Sequence, residues 1–316
     1  FSHMFETPEV FATFADHEEW GLRIMKDPEC DLSQVLSILL GESLPRLIAI
    51  MDGTVEKPFL HEIVSSQLDV DRLDYLLRDQ LCTGADVGGF DHERLLRSLG
   101  VSEDGHLVVG LDSVGAVEGY LVTRWHMYQL VYFHKLNMLT QAYYVRALKR
   151  ARELHENGDL PLSLKMRDML SNRELTPLRY AGLTDSFVIA DVFQWAGHDD
   201  PVLSNCARRL SSRDDFHKRI RLELTKEQAQ SLIGPLSEVV SAAGFDGEED
   251  VIHTPLQKEG YLPYEAGIHL DDGRDIMEAS KMIESISGEF SRSMLFVPRA
   301  VRDECEELAK GLLGPN

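Results

Sequence analysis

Leu68-Asp69-Val70-Asp71-Arg72-Leu73-Asp74-Tyr75-Leu76-Leu77-Arg78-Asp79 is the stretch on which the reading of this chain turns. Wound at about 100° per residue, it puts Val70, Leu73, Leu76 and Leu77 on one side. Asp71, Arg72, Tyr75 and Asp79 fall within a wedge of about 100° on the other, flanked by Asp74 and Arg78. The spacing predicts a helix over Ser65–Gln80, apolar on one face and carrying carboxylates, a guanidinium and a phenol on the other. Two readings fit that polar face. It is a solvated surface laced with intrahelical ion pairs, or a carboxylate there binds a hard cation while Arg72 and Tyr75 hold a polyanion beside it. Oxygen ligands suit Mg or Mn, and imidazoles alongside them also admit Fe or Zn.

Working outward, the chain before this stretch reads as helical, with apolar spacing over Pro8–Met25, Ser33–Leu40 and Leu44–Met51 and breaks at Pro28, Gly41 and Gly53. After it come a Gly-rich loop, Gly84–Gly89, a short helix over Asp91–Leu99, and a hairpin turning at Glu103-Asp104-Gly105. Ala116–His155 reads as one or two long helices, followed by helices over Leu175–Gly197 and Asp200–Arg209. From about Ile220 the pattern alternates: strands at Ile220–Leu224, Val251–Thr254 and Met294–Val297, helices at Lys226–Ala243 and Asp275–Ser287. The expected architecture is therefore mainly α, a helical body over 1–219 with a small α/β domain over 220–316.

On the long helix, Arg124, Tyr128, Tyr132 and Lys135 lie within about 80° of one another at helical winding. Two phenols between two cations make a stripe suited to stacking a base and pairing a phosphate. A tyrosine-rich packing face with snorkelling cations fits the same spacing.

Composition narrows the function. Asp plus Glu is 53 against 32 Lys plus Arg, a net charge of −21. Such a surface repels a phosphate backbone, so nucleic acid is not an expected partner. Arg208-Arg209, Arg213, Lys218-Arg219 and Arg221 form the one cluster in favour of it. Cys30, Cys82, Cys206 and Cys305 form no CxxC pair and are expected to be buried thiols. The uninterrupted apolar runs fall short of the roughly 18 residues that span a bilayer, and no secretory signal starts the chain, so a cytoplasmic protein without a membrane partner is expected. No P-loop and no HExxH motif occurs.

Phe1-Ser2-His3-Met4-Phe5-Glu6, then His17-Glu18, then the Asp69–Asp79 string, then Thr123-Arg124 and Val131-Tyr132-Phe133-His134-Lys135, together resemble the HD-domain phosphohydrolases. The branch they are most similar to is the deoxynucleoside triphosphate triphosphohydrolases, which include the sterile-alpha-motif/HD-domain proteins. The resemblance is detailed over about residues 1–140. It implies an HD-type helical body and one divalent metal held by two histidines and two aspartates, the last of them Asp71. The other three belong to an upstream histidine and a His-Asp doublet that lies before the segment matched by Phe1–Glu6. The chain is therefore expected to be a piece of a longer protein.

The resemblance implies further roles. His17 is implicated in proton transfer at the phosphate and Glu18 orients it; an imidazole titrating near neutrality suits a leaving alkoxide. His3 lies beside the substrate phosphates, Arg72 against the triphosphate, and Tyr75 and Asp79 at the sugar. Arg124, Tyr132 and His134 contact phosphate and base, with Lys135 on the same stripe. The implied reaction is metal-assisted hydrolysis of a dNTP to deoxynucleoside and triphosphate by a homo-oligomer. Two alternatives stay open: a non-catalytic nucleotide-binding subunit derived from the HD fold, and an HD phosphodiesterase or nuclease.

Overall fold

The computed structural model describes Val10 and residues 16–171, 174–259, 261–264 and 267–314. Helices dominate, in agreement with the mainly α expectation. The labelled elements are α1 His17–Lys26, α2 Asp31–Leu40, α3 Leu44–Met51, α4 Val70–Thr83, β1 Leu99–Val101, β2 Leu107–Val109, α5 Val114–Met127, α6 Lys135–Glu156, α7 Pro201–Ser212, β3 Lys218–Arg219, α8 Lys226–Ala242, β4 Ile252–Glu259, β5 His269–Leu270, β6 Glu289–Val297 and α9 Arg302–Leu313. Further helices connect them, the longest being Asp185–Gln194. The strands form two three-stranded sheets, ordered β1-β2-β5 and β3-β6-β4. The expected hairpin is present: Leu99 pairs with Val109 and Val101 with Leu107, antiparallel. Strand β5 adds in parallel to β2.

Contacts divide the chain into two compact units, each assembled from separate stretches. The first holds residues 1–41, 135–255 and 292–316; the second holds 42–134 and 256–291. The division therefore does not fall at 219/220. Residues 256–291 leave the C-terminal α/β region because β5 pairs with β2 and because Leu270, Ile276 and Ile283 share a core with α4 and α5. Such long-range pairing is invisible to local periodicity.

In the first unit, α6 packs along α7. Tyr143, Ala147, Leu148 and Ala151 are buried on α6, and Leu203, Cys206, Ala207 and Leu210 on α7. A second core joins Ala229, Leu232, Leu236 and Val240 of α8 to Cys305 and Ala309 of α9 over Leu295 and Val297. Helix α1 is anchored by Trp20, whose ring stacks on Tyr180 with centroids 4.3 Å apart. In the second unit, Leu73 and Leu76 of α4 meet Val117, Tyr120 and Leu121 of α5.

Two local expectations are corrected. Val70, placed on the apolar face by winding, is 47% exposed, because the first turn of α4 leads into the helix before its packed face begins. Cys82 is exposed, whereas the other three cysteines are buried. Asp31–Met51 is, by length and composition, apolar enough to cross a membrane. No uninterrupted apolar run of that length occurs within it, because Gly41-Glu42-Ser43 and Pro45-Arg46 divide it, with Gly41 at φ +49°.

Candidate functional site in the second unit

The polar face of α4 is set by its caps. Asp69 is the N-cap, and its Oδ1 accepts the Arg72 N–H at 2.7 Å, satisfying one of the donors that a helix start leaves open. Gly84 closes the helix at φ +68°, a conformation that only a residue without Cβ adopts cheaply. Between the caps, Asp71 and Asp74 are exposed, and Arg72, Tyr75 and Asp79 are half-buried. The Asp74–Arg78 pair, at 2.9 Å and exposed on both sides, is the intrahelical bridge that the solvated reading expects.

Tyr75 and Asp79 have partners on the element that follows α5. The Tyr132 hydroxyl donates to Asp79 Oδ2 at 2.7 Å. Tyr75 meets Tyr132 edge-on at 6.4 Å, and Tyr128 meets Tyr132 edge-on at 5.2 Å. Burial, with the Tyr128 charge and hydroxyl next to it, pushes the Tyr75 phenol above its ordinary range against the pull of Arg124 and Arg72. The Tyr132 phenol is raised by burial and by its hydrogen bond to Asp79. Both stay protonated donors at neutral pH. Arg124 is 8% exposed, stands 6.0 Å from the Tyr128 ring centroid, and has an Nη1 with no hydrogen-bond partner. A buried guanidinium with an unsatisfied donor is costly unless something anionic or polar arrives.

The stripe differs from its regular winding. Residues Tyr128–Tyr132 form a π turn, with the Phe133 N–H donating to the Tyr128 carbonyl at 2.9 Å. The wider turn inserts a residue into the register, and the helix ends at Phe133 before α6 begins at Lys135. Arg124, Tyr128 and Tyr132 remain in the second unit. Lys135 opens α6 in the first, where it lines a pocket of about 320 Å³ with Lys218, Arg219, Arg221 and Arg302. π turns recur at functional sites because they re-aim side chains. No spacing argument based on 3.6 residues per turn signals one.

The other expected residues are placed as follows. His3 lies outside the described residues. His17 and Glu18 are exposed in the first turn of α1, in the first unit. His134 is exposed, just past the π turn. Among the described residues no three metal-capable side chains cluster. Asp71 supplies one carboxylate and by itself does not fit a bound divalent cation, which needs several ligands. Half of the basic cluster is paired: Arg209 faces Asp250 at 3.4 Å, Arg219 faces Glu223 at 2.9 Å and Arg221 faces Glu306 at 3.1 Å. That pairing offsets part of the charge a polyanion would use, at three of the six cations.

Comparison with known proteins bears on the fold. A family model described as the HD associated region matches residues 90–242. A phosphohydrolase from Bacteroides thetaiotaomicron of known structure superposes with TM-score 0.74 at 26% identity, over 94% of this chain and 75% of that one. A hypothetical protein from Aquifex aeolicus shares the fold, with TM-score 0.61 at 23% identity over 93% of this chain and 75% of that one. The uncharacterized protein YwfO of Bacillus subtilis is 29% identical over 301 residues, 91% of this chain and 67% of its own length. The matched region and the structural likeness support the HD-domain superfamily and a phosphohydrolase-like, mainly α fold.

Proposed function

We propose that this chain belongs to a nucleotide phosphohydrolase that cleaves dNTPs to deoxynucleoside and triphosphate. The observation that carries the reading is the second-unit constellation. Asp79 is oriented by Tyr132, Tyr75 stands edge-on to that ring, and the unpartnered Nη1 of buried Arg124 lies beside Tyr128. Arg124 is the natural receptor for a phosphate oxygen, since a charge-assisted hydrogen bond there satisfies its buried donor. Asp79 Oδ1 faces a sugar hydroxyl as acceptor while Oδ2 is held by Tyr132. Tyr75 occupies the space that a ribose 2′-hydroxyl would need. His17 and Glu18 are the proposed proton donor and its orienting carboxylate. A divalent cation, when bound, would polarise the phosphoryl oxygen. Asp71 is the one candidate ligand among the described residues, so no step is derived through it. A cytoplasmic homo-oligomer without nucleic-acid or membrane partners completes the proposal.

The test incubates the full-length protein with Mn²⁺ and each dNTP and measures inorganic triphosphate. Release by the wild type, its loss in Asp71→Ala, and increased ribonucleotide turnover in Tyr75→Ala are expected. An Asp71→Ala enzyme working at the normal rate would overturn the metal assignment, and unchanged sugar selectivity would remove Tyr75 from the pocket. The second reading is a subunit that binds nucleotide without cleaving it. Tight dNTP binding with no triphosphate released would select it.

A further inference from the structure

Gln67 is buried in the turn that leads into α4, and its carboxamide meets one residue twice. Its Oε1 accepts the Leu262 N–H at 3.0 Å, and its Nε2 donates to the Leu262 carbonyl. A carboxamide carries an acceptor and a donor in one plane, so it pairs with a backbone much as a neighbouring strand does. The Gln67 carbonyl in turn accepts the buried Tyr120 hydroxyl at 2.7 Å. Leu262 is itself held in place. The Tyr261 hydroxyl lies 2.9 Å from both oxygens of buried Asp275 and accepts the Ile268 N–H at 2.7 Å. Asp275 also accepts the Tyr264 N–H at 2.8 Å. On the other side of Gln67, Asp69 accepts the Ser66 N–H at 3.0 Å and the Arg72 N–H at 2.7 Å. Arg72 Nη1 donates to the Ser66 carbonyl and to Asp69. The turn thus grips the guanidinium by one nitrogen and leaves Nη2 and Nε to meet an anion.

We infer that Gln67 is a positioning residue: it docks the 66–69 turn on Leu262, and through that turn aims the Arg72 guanidinium at the phosphates of a bound nucleotide. The inference rests on the nucleotide reading of this site and on the place the family resemblance gives Arg72. A buried amide without partners is costly, so where Leu262 is fixed Gln67 follows. An arginine held before the nucleotide arrives removes an ordering cost that binding would otherwise carry. Residues 256–291, which join the second unit from late in the chain, thereby gain a part in the site.

The test measures dNMP and dNTP affinities by calorimetry for wild type, Gln67→Met, Arg72→Met and the double variant. Methionine keeps the length of the side chain and removes both polar groups. Gln67→Met is expected to lower dNTP affinity about tenfold, the scale of one charge-assisted hydrogen bond, and dNMP affinity by less than about twofold. In the Arg72→Met background the same change is expected to leave the ratio of the two affinities as it was, because the residue it acts through is gone. An equal loss for both nucleotides, a graded loss that persists without Arg72, or no loss at all overturns the inference. Tyr261→Phe loosens Leu262 without touching Gln67 and serves where Gln67→Met does not fold. It is expected to show the same graded loss to a smaller extent, and an even loss there overturns the inference equally. If the wild type binds neither nucleotide, the functional reading fails by itself, and hydrogen exchange at the Ser66 and Arg72 amides then decides the role of Gln67. Faster exchange in the variants is expected; unchanged protection shows that Gln67 does not hold the turn.

Discussion

Lowering the pH from 7.5 to 5.5 should destabilise the first unit in part through the buried imidazole of His217. His217 is 3% exposed. Its Nε2 lies 2.9 Å from Asp250 Oδ1 and its Nδ1 2.7 Å from the Tyr143 hydroxyl, which also accepts the His217 backbone N–H at 3.0 Å. A neutral ring satisfies all of these: Nε2–H donates to the carboxylate, Nδ1 accepts from the phenol, and the phenol oxygen accepts from the backbone. A protonated ring presents a second N–H to the phenol, whose own hydrogen then has no acceptor. Burial holds the His217 pKa below the ordinary imidazole value of 6.5; the Asp250 contact opposes this, while Arg209 and Arg146 reinforce it.

The sign follows from proton counting. Between the lowered folded value and about 6.5 the unfolded chain binds a proton that the folded chain does not. Stability contributed by neutral His217 is therefore complete above that window and declines as pH falls through it. The slope reaches at most about 1.4 kcal/mol per pH unit for one proton. Urea denaturation at half-unit steps from pH 7.5 to 5.5, on wild type and His217→Gln, isolates the effect from the other histidines. A wild-type curve that falls more steeply than the variant's is expected. In Tyr143→Phe the ring loses its phenol donor, so its pKa should rise and the pH slope shrink, readable from the imidazole NMR titration. Parallel curves for wild type and His217→Gln, together with an NMR pKa near 6.5, would refute the reasoning.

Two further outcomes are expected. Tyr132→Phe removes the 2.7 Å donor to Asp79 and should weaken dNTP binding with little change in fold, at a cost of about 1.5–3 kcal/mol for a hydrogen bond to a charged group; calorimetric affinity equal to wild type would show that Asp79 needs no such orientation. Leu76→Ala, at a fully buried position in the core shared by α4 and α5, should cost about 2–5 kcal/mol in denaturant unfolding. A loss within the range of a surface substitution would mean that this face of α4 is not packed.

Much of the helical content and the polar face of α4 could be read directly from the chain. A period near 3.6 with caps at both ends is a local signal, carried by Asp69, Leu73, Leu76 and Gly84 themselves. The hairpin at Glu103-Asp104-Gly105 was legible for the same reason, since turn chemistry needs only neighbours. The acidic balance was legible from counting.

What the residues could not announce by local pattern was decided by contacts distant in sequence. Strand β5 joins β2 across some 160 positions, so residues 256–291 belong with α4 and not with the α/β segment around them. The π turn interrupts the regular winding of the tyrosine stripe before Lys135, because one wide turn breaks a register that assumes a constant winding. Arg72 and Arg124 are both cations of helical motifs, yet one is bound to a buried carboxylate and the other holds a donor without a partner. Periodicity specifies which side of a helix a charge leaves from; only the packed chain determines what it meets there, because ion pairing depends on distances of a few ångströms that sequence separation does not encode.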